Sequence, residues 1–192
     1  MKNSVIKTTK ILLFIVGFLF ALYYFMEWGE LGKFTMSLAH NQLEKRGMRL
    51  NYSDVSSEEH GFTVHNLRLN GVANLSFSSI TIKPKFISSI LSFAPVCDIN
   101  FKNGSLQLGQ VINFGDGNFL LTAGSNEILL ENLRTTGDFA VNGFISINPA
   151  TMRLGRTEAR LNFPEEFERN MDTLMNFLPL VQDNGRWYLR RR

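Results

Sequence analysis

The residues able to do chemistry are few and scattered. Cys97 is the only cysteine, so no intrachain disulfide can form. It sits in PVCDINF, a strand-like segment, where a free thiol behaves as a small hydrophobe. A nucleophilic thiol needs an activating environment, and no histidine is close to it in sequence. His40, His60 and His65 show no metal-ligand spacing. His60 follows Ser57-Glu58-Glu59 in a loop and reads as solvated. The carboxylate pairs Glu58-Glu59 and Glu165-Glu166 fit a loop and a helix start. NFGDGNF is glycine-rich, but a phosphate loop requires a following helix and a strand follows here. Asp116 within it reads as a turn residue, because a calcium site needs more oxygen ligands. No nucleophile elbow, dinucleotide fingerprint or zinc-protease motif occurs. The expectation is a chain with no catalytic residues, no metal and no cofactor.

The charge narrows the partners. The formal charge is +3, and Lys2, Lys7 and Lys10 account for all of it. Residues 27–192 carry 17 basic and 17 acidic side chains and are neutral. A nucleic-acid binder would show a basic stripe on its folded part, so no nucleic acid is expected. The run Arg190-Arg191-Arg192 reads as a solvated tail.

The segment that positions everything else is ILLFIVGFLFALYYFM, residues 11–26, which has no charge. With Trp28 it reaches the length of a short membrane span, roughly 17–25 residues. Ile11, Leu12, Leu13, Phe14, Phe18, Phe20 and Leu22 supply the apolar body. Tyr23, Tyr24 and Trp28 suit the outer interface, where amphipathic rings sit at headgroup level. The segment is long for a signal peptide and ends in bulky residues. Its only small-x-small site, Ser37-Leu38-Ala39, lies too far downstream, so an uncleaved anchor is expected. The positive-inside rule places the lysines in the cytoplasm. The expected organisation is a basic tail at 1–10, a transmembrane anchor at 11–28 and one periplasmic domain at 29–192. The cell inner membrane is the expected location.

Beyond the anchor, Leu31, Phe34 and Leu38 predict a short helix over Leu31–Arg46, closed by Gly47 and either continuous with the span or bent from it near Gly29 and Gly32. The period then changes to two. Leu50 with Tyr52, Phe62 with Val64, Leu67 with Leu69, Ile80 with Ile82 and Ile99 with Phe101 alternate with polar residues, which predicts half-buried strands. A phase shift predicts a bulge near His65-Asn66. Asn-Gly pairs at 70–71, 103–104, 142–143 and 184–185 predict hairpin turns, as do 115–118 and 124–126. FISSILSFAP predicts a helical turn packed on the sheet. PEEFERNMDTLMNFLP predicts a helix over Pro164–Leu178, and Trp187 with Leu189 a last strand. The fold class is mainly β: an N-terminal transmembrane helix, then an antiparallel meander, open and taco- or jellyroll-like, with short flanking helices.

Thirteen of the 17 phenylalanines lie outside the span. Phe62, Phe77, Phe101, Phe119, Phe139 and Phe144 are expected on the apolar side of strands. Two readings fit them: an ordinary sheet core, or a gutter whose inner side faces lipid acyl chains or a partner.

The order of parts resembles a known group. GMRLNYSDV, then GFTVHNLRLNGVANLSFSSITIKPKFISSIL, is similar to the opening module of type II secretion system protein N and AsmA-like envelope proteins. GSLQLG and the final GRWYL fit later places in that pattern. The resemblance implies a non-enzymatic envelope protein with secretion or transport proteins as partners. It implies docking in a secretion machine or, as in AsmA-like relatives, binding of lipid along a β-lined groove. The single-span component of lipopolysaccharide transport has a similar layout but a less similar sequence. A membrane-tethered hydrolase is the weakest alternative.

Overall fold

The structure, a computed structural model, describes residues 13–14, 17–18, 20–21, 23–71, 74–108, 110–151, 153–164 and 179–191. The described residues between 13 and 25 are helical, and the chain breaks at Met26 and Glu27. Among the described residues no helix is long and apolar enough to cross a membrane. The expected anchor falls partly outside them: Ile11, Leu12 and Leu22 are not described, and neither are residues 15, 16 and 19. The helix expected over Pro164–Leu178 lies outside them from residue 165 onward.

Helix α1 spans Trp28–Glu44, three residues earlier than expected at its start. The break before it is at Met26-Glu27, so Gly29 and Gly32 serve packing and not bending. The buried stripe is Trp28, Gly32 and Met36, with Ala39 and Leu43 partly buried along it. The expected stripe faces away: Phe34 and Leu38 are 62% and 51% exposed. The reason lies at Gly32. A Cβ there would stand 2.7 Å from the Phe62 ring and 2.8 Å from Val55, so only glycine lets the helix come this close to the sheet. After the helix, Gly47 turns the chain at φ 74, and the Met48 N–H donates to the Leu43 carbonyl at 3.0 Å.

The strands are β1 (Arg49–Asn51), β2 (Asp54–Glu58), β3 (Gly61–Asn70), β4 (Asn74–Pro84), β5 (Val96–Leu108) and β6 (Gln110–Ala123). There follow β7 (Ile128–Thr135), β8 (Ala140–Asn148), β9 (Arg153–Leu154), β10 (Thr157–Asn162), β11 (Leu180–Asp183) and β12 (Arg186–Arg191). Helix α2 (Phe86–Ser92) stands between β4 and β5. Among the described residues these strands form one sheet, in the order β1-β3-β4-β5-β6-β7-β8-β10-β12-β11. Strand β2 also pairs with β3, and β9 with β8. Every pairing is antiparallel. The two ends of this order do not pair with each other, so the sheet is open. It is the expected meander from β3 to β8, whereas the C-terminal order β10-β12-β11 departs from successive hairpins because β12 inserts between β10 and β11.

Half of the turn signals sit inside strands. Asn184-Gly185, at φ 49 and 72, makes the β11–β12 hairpin, and residues 124–127 link β6 to β7. Asn103-Gly104, 115–118 and Asn142-Gly143 instead lie within β5, β6 and β8. Asn66, Asn103 and Asn132 adopt φ of 51, 50 and 54 in mid-strand. The β5–β6 register shifts beside Asn103 and the β7–β8 register shifts beside Asn132. Asn66 stands where the apolar phase of β3 changes, but the β3–β4 register runs unshifted past it, so the expected bulge is a local positive-φ kink and not an inserted residue. A bulge and a tight turn need the same positive φ, and asparagine supplies it for both. The Asn103 bulge is pinned: its N–H donates to Asp116 Oδ1 at 3.0 Å and its side-chain amide to Ser78 Oγ at 3.1 Å.

Two cores result. Under α1, Met36, Leu50, Val55, Phe62 and Val64 pack together. A larger cluster of Ile112, Leu133, Phe139, Val141, Ala159, Leu161, Leu180 and Leu189 spans β6 to β12. Arg190 and Arg191 are not part of a tail, because β12 continues through Arg191; Arg192 lies outside the described residues. Arg190 lies 3.4 Å from Glu158 and over the Tyr188 ring.

Candidate functional site

Local geometry explains most chemically capable residues without catalysis. Ser56 Oγ and His65 Nε2 stand 3.0 Å apart on β2 and β3, but among the described residues no carboxylate is hydrogen-bonded to that imidazole. His40 donates from Nδ1 to the Leu50 carbonyl at 3.0 Å and ties α1 to β1. His60 is not free in a loop: it stacks on Tyr23 with centroids 5.1 Å apart, and the Tyr24 ring meets it edge-on at 5.0 Å. Burial pushes the Cys97 thiol above its usual range, which keeps it protonated and unreactive. Ser146 and Thr157 are buried on the sheet; Ser146 Oγ donates to Glu127, and Thr157 Oγ1 donates to the Gly155 carbonyl at 3.2 Å. Nothing in the sequence marks that set, which joins β8 to β10 at its polar crossing. Among the described residues no group of three or more His, Cys, Asp or Glu could hold a metal ion.

The six phenylalanines fall into four places. Phe77, Phe101 and Phe119 come together as a row across β4, β5 and β6, with ring centroids 5.2 Å and 6.4 Å apart. Two glycines make room for the row. A Cβ at Gly104 would meet the Phe101 ring at 2.9 Å, and one at Gly117 would meet it at 2.4 Å. Phe101 is buried, while Phe77 and Phe119 are half-buried. Phe62 belongs to the core under α1. Phe139 belongs to the larger core, with Phe114 and Phe163 rings at 5.8 Å and 5.4 Å. Phe144 does not join them. It pairs with Glu158 on the opposite side of the sheet and lines an open hollow of about 570 Å³ with Glu127, Glu131, Arg134 and Arg156.

The described anchor residues are mostly uncovered. Leu13, Phe14, Phe18, Phe20 and Tyr24 are exposed, Phe14 by 74%. Tyr23 is half-buried and its hydroxyl donates to the Pro84 carbonyl at 3.4 Å. Trp28 is buried at the start of α1, with Tyr23 edge-on at 5.3 Å, and so belongs to the folded body.

The other notable feature is the sheet edge. Among the described residues nothing pairs with the outer side of β11. Asp183 faces Arg186 across the two-residue turn, and the Arg190 N–H donates to the Pro179 carbonyl. Inward and outward groups alternate along an antiparallel strand, so the N–H and C=O of Gln182 point away from β12. Gln182 and Asp183 are exposed, and Val181 is 42% exposed. Such an edge is a template for another strand.

No curated protein and no solved structure matches the chain significantly. A family model described as "Type II secretion system protein GspN-like, Synergistales" matches residues 6–191, nearly the whole sequence, and the chain belongs to that family.

Proposed function

We propose that this protein is a docking component of a type II secretion machine, held at the cell inner membrane by the apolar segment 11–26 with its sheet in the periplasm. It does no bond chemistry in this reading. Family membership supports the machine, and the charge-free segment flanked by lysines supports the anchor. The observation that carries docking is the outer edge of β11, whose backbone groups, unpaired among the described residues, fit strand addition by a partner protein. The test is a deletion strain complemented with the full chain or with Gln182→Pro. Proline removes the outward N–H without breaking the β11–β12 ladder, so the variant should accumulate normally yet fail to restore secreted proteins to the medium. Full restoration by that variant would remove edge docking from the account.

The row Phe77, Phe101 and Phe119 favours a second reading, in which the apolar side of the sheet takes acyl chains. Phe77 and Phe119 keep part of their surface open, and apolar burial tolerates flexible tails. Lipid co-purifying with the intact protein, and lost in Phe77→Ser, would favour it.

A further inference from the structure

Helix α2 is built inside out. An ordinary surface helix turns its apolar stripe toward the core. Here none of its residues is fully buried, and Ile87, Ile90 and Leu91 are 64%, 53% and 77% exposed. Phe93, the next residue after the helix, is 98% exposed. The part-buried residues of α2 are Ser88 and Ser89, with Phe86 at its base, while Ser92 is exposed. Ser89 Oγ donates to the Lys85 carbonyl at 2.8 Å and accepts from the Val96 N–H at 2.9 Å, which fastens the helix to the start of β5. Ser92 Oγ donates to the Ser88 carbonyl at 2.7 Å. Phe93 also holds φ 52, a left-handed conformation disfavoured for any residue but glycine. A large apolar side chain is thus kept in a disfavoured conformation to stand in the open.

Position says what covers it. Tyr23 touches the base of α2, with its ring 5.8 Å from Phe86 and its hydroxyl on Pro84. Phe20 and Tyr23 share a hollow of about 280 Å³ with Lys85, Phe86, Ile87 and Ser88. The bare apolar side of α2 is therefore continuous with the anchor segment through Phe20, which is itself exposed. Lys83 and Lys85 stand at its base, where cations suit anionic headgroups, and Lys85 also pairs with Asp98 at 3.6 Å.

We propose that Phe86–Phe93 is a second membrane contact, which lays Ile87, Ile90, Leu91 and Phe93 into the interface of the bilayer that holds residues 11–26. This rests on the anchor reading of that segment. A monotopic element of this kind sinks its apolar side roughly 5–10 Å into the headgroup–acyl boundary. Two contacts, one spanning and one lying flat, would fix the orientation of the sheet above the membrane.

The test uses the full chain with Cys97→Ser, reconstituted in vesicles of phosphatidylcholine and phosphatidylglycerol. Single cysteines at Phe14, Leu91, Phe93 and Val111 carry an environment-sensitive fluorophore. Val111 is 65% exposed on β6 and serves as an apolar control away from α2. The expected result is blue-shifted emission, quenched by spin-labelled lipid, at 14, 91 and 93, with a water-like signal at 111. Lipid at 14 with water at 91 and 93 overturns the second contact and leaves the anchor standing. Water at 14 overturns the anchor reading itself. Equal quenching at 111 would mean non-specific adsorption and would also overturn the proposal. An unchanged far-ultraviolet spectrum for each labelled chain guards against misfolding.

Discussion

The two helices attached to this sheet are opposites. Helix α1 brings Gly32 and Met36 against Val55 and Phe62 and leaves its hydroxyl and charged residues outside, together with Phe34 and Leu38. Helix α2 brings Ser88 and Ser89 inward and leaves Ile87, Ile90 and Leu91 outside. Both carry apolar residues at helical spacing, so spacing alone does not tell which side meets the protein. What decides is the fastening. Close backbone approach at a glycine holds α1, whereas hydroxyl hydrogen bonds to the strand ends hold α2. The first arrangement stabilises the fold. The second spends little apolar burial on the fold and keeps a greasy surface for something else.

The contrast can be broken or sharpened by substitution, read as chemical denaturation of the detergent-solubilised chain. Phe62→Ala empties the core under α1 and should cost about 3–5 kcal/mol. Gly32→Leu drives a branched side chain into the Phe62 ring and should cost about 1–3 kcal/mol. Loss of less than this from either would mean that α1 is not seated as described. Phe93→Gly relieves the left-handed strain and should gain up to about 1 kcal/mol. Leu91→Asp removes nothing buried, so its stability should stay within about 0.5 kcal/mol of the parent. A large loss in Leu91→Asp would make α2 an ordinary packed helix and erase the contrast.

Much of the meander was legible. Alternation at Phe62-Val64, Ile80-Ile82 and Ile99-Phe101 marked real strands, because a half-buried antiparallel sheet imposes a period of two. The phase change at Asn66 was visible for the same reason. What misled was asparagine and glycine. Asn103-Gly104 and Asn142-Gly143 carry the chemistry of a turn, yet they sit in strands longer than the spacing of the turn signals suggested. Only the register of the neighbouring strand separates a bulge from a hairpin, and that is not local information. Phe144 was misplaced for a different reason: it is three residues from Val141 in an unshifted β8–β10 register, so the period of two itself turns it to the other side, among Arg134 and Arg156. The grouping of Phe77, Phe101 and Phe119 could not be read from spacing, since it depends on which strands are adjacent. The orientation of α2 depended on Ser89 reaching Val96, a contact seven residues away and invisible to periodicity.

The most direct measurement of the central claim is photo-crosslinking in native membranes, with probes at Gln182 on the β11 edge and at Phe77 and Phe119 on the apolar side. Adducts to protein at Gln182, with none at the two phenylalanines, are the predicted result and would identify the docking partner. Lipid adducts at Phe77 and Phe119 with nothing at Gln182 would contradict it and make the sheet a lipid-binding surface.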